Sequence, residues 1–424
     1  MLRISRKDMA DKFIWLLTVL LYASFLIFYS YTWGKYVLLA TAIFIALIHA
    51  FRNHGKLRLY LEPFQWFVLL LSVYCLFSAL WAWVPSEALE KSLTLFEVLI
   101  CFSVVYMHYR QVGDITPLLS AMKWGGYVVA VYTIFFYGGY AAITEAAAEA
   151  STRLENDFAN VNAIGMAAAY ACILQVYESV SNRKLSWPML MMIPCLLVIA
   201  ATQSRKAIGL LVLGLYLISL FRNIGKHHPA RLILNTILTA VILFGVLYFL
   251  STTGLFGGVF DRLQSMLSGF TGIGEADGST LIRIQMRRIG WEQFLKTPLF
   301  GIGIDSSGQL LYNNIGRNTY LHNNYIELLA CGGIIGFLIY YSMYIYLFVG
   351  LIRKRKEDRQ CVDICLILMI LFLIMDFGAV SYSSKTQYYY FMILFIEAAV
   401  LNKSEGGRRR HGKQAPSRTP LSDG

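Results

Sequence analysis

Apolar residues run in long unbroken stretches along nearly the whole chain, separated by short polar loops. Runs of about 18 or more such residues are long enough to cross ~30 Å of hydrocarbon as a helix. Inside lipid every backbone N–H and C=O must be bonded within the protein, which leaves helices or a closed barrel. The runs are continuously apolar rather than alternating, so they predict helices. The length rule gives about twelve spans, near 13–31, 35–51, 64–84, 92–109, 122–142, 159–177, 187–203, 206–221, 231–250, 324–350, 361–379 and 386–402. The first, Phe13 to Tyr31, is too long for a signal-peptide core and lacks a small-x-small cleavage site, so it reads as an uncleaved span. The expected fold is all-α: a polytopic membrane bundle over 13–403, between an N-terminal segment 1–12 and a Gly-, Arg-, Pro- and Ser-rich tail 404–424 that predicts disorder.

Composition agrees. Hydrophobic residues make up 57% of the chain, charged residues 15%, and the mean hydropathy is +0.56. A soluble domain covers its surface with about a quarter charged residues, so lipid must cover much of this one. The net charge of +12 reads as topology rather than nucleic-acid binding. With the N-terminus inside, about 25 of the 37 basic residues fall in cytoplasmic segments and about 12 outside, the bias that fixes orientation. The inner segments hold Arg52, Lys56 and Arg58, the cluster Arg353-Lys354-Arg355-Lys356, and Arg408 to Arg410. Both termini are then cytoplasmic.

One interval departs from this rhythm. Residues from about Ser251 to Leu321 separate two spans by roughly 70 residues, and loops that long are usually functional. By the charge bias this loop faces outward. It is Gly- and Ser-rich at first; Thr280 to Leu295 then predicts a helix carrying Arg283, Arg287 and Arg288, ended by Pro298 and the glycines of Pro298-Leu299-Phe300-Gly301-Ile302-Gly303.

Candidate chemistry gathers on the same side. Of seven histidines, only His322 is placed outside, where the loop re-enters the membrane in Tyr320-Leu321-His322-Asn323-Asn324-Tyr325-Ile326-Glu327. An imidazole can take a proton from a hydroxyl near neutral pH; on position alone His322 reads equally as a residue marking the membrane boundary. Asn323 and Asn324 open the next helix, whose first-turn N–H groups suit a phosphate. Glu327 lies one turn further in, where an ionisable group is costly and is a functional candidate; it would orient a base, pair with an arginine, or form a structural ion pair. Arg205, in Thr202-Gln203-Ser204-Arg205-Lys206, violates the positive-inside bias together with Lys206, and an anionic ligand would explain both. Arg153 stands outside too, with Asn160 and Asn162 after it. Arginine grips phosphate oxygens bidentately and keeps its charge in a low dielectric. Several arginines beside one histidine would make a pyrophosphate site next to a base. The seven cysteines lie in or beside apolar segments without zinc spacing or a disulfide framework. No His-x-x-x-His, Cys-x-x-Cys or clustered Asp motif stands outside, so a catalytic metal is not implied, and no phosphate-loop motif points to a nucleotide. The Gly332-Gly333-x-x-Gly336 cluster predicts close helix packing.

These residues resemble the O-antigen ligase and polymerase family, which includes lipopolysaccharide O-antigen ligases and Wzy-type polysaccharide polymerases. The likeness covers the layout of spans with one large late external loop. It is sharpest at Arg153 with Asn160-Val161-Asn162, at Thr202-Gln203-Ser204-Arg205, at Arg283 before Pro298 to Gly303, and at His322-Asn323-Asn324-Tyr325 with the Gly332 to Gly336 helix. Val161 stands where the family usually has proline, Leu321 where alanine is common, and Cys331-Gly332 where Glu-Leu is common. The resemblance implies a bacterial inner-membrane enzyme with no cofactor and an extracytoplasmic site. It implies an inverting, metal-independent transfer from an undecaprenyl-pyrophosphate-linked glycan to an acceptor hydroxyl on a glycan or lipid, with polysaccharide-export or chain-length-regulating proteins as partners. In that reading His322 is the base or positions the acceptor. Arg205 and Arg283, with Arg153 as a third, hold the pyrophosphate, and Ser204, Asn323, Asn324, Tyr325 and Glu327 support them. The rival reading is a flippase or other transporter of lipid-linked oligosaccharide. Transporters place polar sites near the midplane in repeated halves; here no internal repeat is visible and the polar residues collect at one face.

Overall fold

The structure, a computed structural model, describes residues 6–29, 31, 33–57, 60–148, 154, 158–184, 186–224, 233–239, 241, 245 and 278–411. Among the described residues every regular element is a helix. In chain order these are α1 (Arg6–Ile27), α2 (Gly34–Arg52), α3 (Pro63–Ser78), α4 (Pro85–Val112), α5 (Thr116–Phe136), α6 (Tyr140–Ala148), α7 (Val161–Asn182), a 3-10 turn Trp187–Met191 leading into α8 (Met192–Thr202), α9 (Arg205–Asn223), α10 (Gly278–Lys296), α11 (Ser307–Ile315), α12 (Asn324–Lys354), α13 (Arg359–Met375) and α14 (Lys385–His411).

Among the described residues, six helices are long and apolar enough to cross a membrane: Lys7–Ile27, Gly34–Arg52, Thr116–Phe136, Val161–Asn182, Arg205–Asn223 and Asn324–Lys354. They coincide with six of the expected spans. The expected spans 64–84 and 187–203 correspond to the shorter apolar helices Pro63–Ser78 and Trp187–Thr202. Those at 92–109, 361–379 and 386–402 fall over α4, α13 and α14. The span expected at 231–250 and the loop's Gly- and Ser-rich part, 251–277, lie largely outside the described residues; 233–239 is helical.

α2 shows how lipid replaces water as the outer solvent. Leu38, Thr41, Ala42, Ile45 and His49 face the bundle, while Leu39, Ile43, Phe44 and Leu47 are exposed, Leu47 at 60%. A helix apolar on both faces has no aqueous side. At the bundle centre lies α14, whose run Tyr388 to Ile396 is buried all round. Its ring stack Phe372–Tyr390 has centroids 4.6 Å apart at 4°. Its hydroxyls are satisfied internally: Tyr388 donates to Tyr382 O at 2.7 Å, Tyr389 donates to Leu118 O at 3.2 Å, and Tyr390 pairs with Tyr22 at 2.9 Å. Dry surroundings leave such groups no water to bond.

Several boundaries differ from expectation. α5 ends at Phe136 instead of 142, because Gly138 and Gly139 take left-handed φ of 94° and 95°, and the short α6 follows unanticipated. α3 stops at Ser78 instead of 84. There Trp83 N donates to Ile302 O at 3.0 Å and Ile304 N donates to Ser78 Oγ at 3.3 Å, so the glycine-bearing loop takes up this backbone. The last helix runs as far as His411; the rest of the tail, 412–424, lies outside the described residues. Within α12, Gly333 breaks the helix at φ 60°, ψ −169°.

The close helix packing expected of the glycine cluster holds at Gly336, where a Cβ would meet the Tyr74 ring of α3 at 2.9 Å, while Gly333 serves a loop instead. The loop 298–303 lies backbone to backbone against it: Ile302 N donates to Ala330 O at 3.1 Å and Ile334 N to Pro298 O at 2.8 Å. A Cβ on Gly333 would stand 2.3 Å from Leu299 O, and one on Gly301 2.4 Å from the Cys331 carbonyl. Both glycines have positive φ as well, so conformation and space each demand glycine. The loop is thereby fixed to the helix that begins just after His322.

Candidate functional site

The site assembles around the turn that leads into α12. Glycine at 316, with φ 69°, ends α11, and the chain then runs through Arg317 to His322. His322 itself takes a left-handed φ of 55°, which an L side chain adopts only when its neighbours over-determine it. Both neighbours are held. Leu321 N donates to Glu327 Oε2 at 2.9 Å, and the Leu321 side chain is buried against Met286, Leu311 and Cys331. Asn323 caps α12 by accepting from Ile326 N at 3.0 Å, and its amide donates to Phe377 O at 3.3 Å. The turn between two clamped residues aims the imidazole.

His322 shares a cavity of about 430 Å³ with Ile282, Arg283, Met286, Arg317, Asn318 and Thr319. Arg283 reaches it from α10, on the same face as Ile282 and Met286. Close packing fixes that helix: a Cβ on Gly290 would meet Ile326 at 2.6 Å and Leu321 at 2.7 Å. The Tyr320 ring lies 4.2 Å from the imidazole, centroid to centroid. Burial first, then the charges of Arg283 and Lys206, pull the imidazole pKa down to about 4. His322 is therefore neutral at pH 7. Its Nδ1 is buried with no hydrogen-bond partner among the described residues.

Lys206 is the cation that sequence reasoning left out of the site. It is the second residue of α9, its ammonium donates to Gly378 O, and both Arg205 and Arg283 bear on it electrostatically. The available signal is the Arg205-Lys206 pair itself, two basic residues together against the positive-inside bias. Arg205 does not line the cavity; it stands beside Lys206 at the start of α9. Ser204 caps that helix, accepting from Ala207 N at 3.4 Å, and donates to Asn162 Oδ1 at 2.9 Å. Asn160 caps α7 by accepting from Asn162 N at 3.0 Å. The segments around Asn160 and Ser204 therefore meet, as two helix starts side by side. Arg153 lies outside the described residues. Arg287 is not part of the cavity, and Arg288 pairs with Glu292 at 2.8 Å on an exposed face.

The supporting residues divide by role. Glu327 is fully buried and accepts from Ser307 Oγ at 2.5 Å as well as from Leu321 N. It clamps the loop rather than pairing with an arginine, because its oxygens are engaged by an uncharged hydroxyl and an amide. Asn324 is a structural hub: it donates to Tyr341 OH at 3.0 Å and to Asp376 Oδ2 at 3.3 Å, and accepts from Ser381 N and Tyr382 N at 2.9 and 3.0 Å. Tyr325 donates to Leu373 O at 2.7 Å and stacks on Tyr341 with centroids 4.8 Å apart. The expectation that the first turn of α12 offers its N–H groups to a phosphate is not met at two positions. Asn324 N donates to Asp376 O at 2.8 Å, and Ile326 N to the Asn323 cap. Cationic side chains, not this helix end, face the cavity.

Other residues of this face went unread in the sequence. Arg317, Asn318 and Thr319 line the cavity; their position in the same loop as His322 was the available signal. Asp376, buried at the end of an apolar run, holds Asn324, Tyr341 and Ser381. Asp305, at φ 62°, pairs with Lys91 at 3.2 Å, and burial pushes its carboxyl up.

A helical bundle with membrane-crossing helices and a cleft lined by Arg283, Arg317 and a histidine defines the class: an integral membrane protein. Residues 190–341 match the family model described as O-antigen ligase, so the resemblance read in the sequence holds over that segment. The match runs from α8 into α12 and contains Arg205, Lys206, Arg283, His322 and Glu327. No curated protein matches the chain.

Proposed function

We propose that the chain is a glycosyltransferase of the bacterial inner membrane that moves an undecaprenyl-pyrophosphate-linked glycan onto an acceptor hydroxyl at the extracytoplasmic face, with both termini cytoplasmic. The observation that carries this reading is the convergence of His322 and Arg283 from separate elements at one cavity, with the charge of Lys206 bearing on the imidazole. An acceptor oxygen attacks the anomeric carbon from the side opposite the pyrophosphate, so the configuration inverts. The carbon–oxygen bond to pyrophosphate breaks, and the lipid pyrophosphate leaves with the electron pair. Arg283 and Lys206, with Arg205 next in line, offset the charge that grows on it; such donors are worth most where water is excluded. No metal is needed for that task when fixed cations perform it.

The low pKa of His322 bears on its part. A neutral imidazole can accept the hydrogen bond of the acceptor hydroxyl, but one at about pH 4 is a weak base. Burial is the larger cause of that depression, and pyrophosphate bound at Arg283 and Lys206 offsets the charges that add to it. Donor binding then raises the basicity of His322 when the acceptor must lose its proton. His322 thus orients the acceptor first and takes its proton in the loaded complex.

Product analysis in proteoliposomes supplied with undecaprenyl-pyrophosphate-linked repeat units tests the reading. Longer glycans on the carrier lipid identify a polymerase; transfer only after a second acceptor is added identifies a ligase. Passage of substrate across the bilayer without a new glycosidic bond would mean a transporter, and the assignment of the site would go with it.

A further inference from the structure

At the far end of α12 from His322, a different set of side chains draws together. Asp358 caps α13, accepting from Cys361 N at 3.0 Å, and Cys361 follows one turn later on the same helix. Glu397 approaches from α14. One ligand atom from each of the three lies within 4.8 Å of the others. Glu397 is only 4% exposed, and no hydrogen bond or ion pair joins its carboxylate to another group among the described residues. The charges that bear on it are those of Asp358 and Asp114, both negative, and the same groups bear on the Cys361 thiol. The nearby arginines are committed elsewhere: Arg355 and Arg359 both pair with Asp363, and Arg359 also donates to Phe221 O and Ile224 O.

A buried carboxyl facing only other anions either keeps its proton or takes a cation, since an uncompensated charge in a low dielectric costs several kcal/mol, on the order of the penalty for desolvating one ion. A cation completes it. We propose that Asp358, Cys361 and Glu397 form a structural site for a divalent cation of the zinc class, joining α13 to α14. The donor set argues for that class: a thiolate with two carboxylates suits a borderline ion bound tetrahedrally, with the fourth position left to water or Asp114. Tetrahedral ligand atoms around zinc stand about 3.3–3.8 Å apart, so the observed spacing closes with small side-chain shifts. Asp358 uses one oxygen for its cap and keeps the other for the ion. The Cys361 thiol gives up its proton to solvent as the metal–sulfur bond forms. The 31 residues of α12 put roughly 45 Å of helix between this site and His322, so the ion takes no part in glycan transfer.

The test uses the full chain in detergent, purified with a tag free of histidine, stripped with chelator and titrated with Co²⁺. A near-ultraviolet sulfur-to-cobalt charge-transfer band should rise to a stoichiometric end point and be displaced by Zn²⁺. Cys361→Ser should abolish the band while eluting and melting like metal-free wild type. Glu397→Gln should keep it but weaken binding by about tenfold or more, and it serves as the second variant should Cys361→Ser fail to fold. Zn²⁺ should raise the melting temperature of wild type and leave that of Cys361→Ser unmoved. No band in wild type, or a band that survives in Cys361→Ser, would overturn the site.

Discussion

At the amino end of α12, His322 lies among Arg283, Lys206 and the cavity residue Arg317; beyond its carboxyl end, Asp358, Cys361 and Glu397 gather with Asp114 near them. One end holds positive charge around a neutral ring, the other negative charge around a buried carboxylate. Neither imbalance serves folding, because like charges brought together in low dielectric repel and each loses its hydration. The backbone differs as well. The amino end is over-determined, with a left-handed histidine between two clamped residues and a loop pressed onto a broken helix. The carboxyl end is an ordinary capped turn. An imbalance held in a strained, locked frame fits a ligand that reacts there, and one held between two plain helices fits a ligand that stays.

The largest way to break this comparison is to remove charge from the cavity. Arg283→Ala should lower kcat/KM for transfer by about 10²–10³-fold, as loss of a fixed donor to a developing anion does; activity within threefold of wild type would remove Arg283 from the site. Next comes the clamp. In Glu327→Gln, Leu321 N loses half of its carboxylate partner, and kcat per folded molecule should fall by roughly tenfold with KM unchanged, as a reacting group loosens. A purely structural Glu327 would lower the yield of folded protein and leave that kcat intact.

The pH profile sharpens the same contrast. Activity that needs neutral His322 is present above its pKa and is lost as pH falls through it, so the acid limb of kcat/KM should lie near pH 4, below the ordinary histidine range. Arg283→Ala removes one depressing charge and should move that limb upward, towards 6.5. A limb unmoved in the variant would separate the arginine from the histidine. Smaller effects come from the frame. Gly333→Ala forces a side chain into a positive φ, 2.3 Å from Leu299 O, and should cost about 1–3 kcal/mol in detergent melts. Tyr74→Phe, which removes a hydrogen bond to Gly332 O, should cost about 0.5–1.5 kcal/mol and leave the pH profile in place.

The sequence made the helical membrane class legible because lipid imposes long apolar runs, and His322 stood out as the one histidine that the charge bias predicts to lie outside. Arg283 was legible from its place before the glycine loop. What stayed hidden has physical reasons. Lys206 looked like the neighbour of Arg205, and only the fold shows which of the two approaches His322. Glu327 stands out as costly, but its partners are the Ser307 hydroxyl and a backbone amide, and neither is visible from spacing along the chain. The Gly333 break looked like helix packing because a positive φ leaves no trace beyond glycine itself. The lower cluster was invisible because Asp358 and Cys361 have no zinc spacing alone, and Glu397 comes from a later helix.

The most direct test of the central claim is transfer by His322→Ala reconstituted beside wild type, with melting and elution profiles confirming that both fold alike. The account predicts a fall in turnover of about 10²–10⁴-fold, the usual share of a positioned acid–base group, with donor binding kept because Arg283 and Lys206 remain. Wild-type turnover in a folded His322→Ala protein would contradict it.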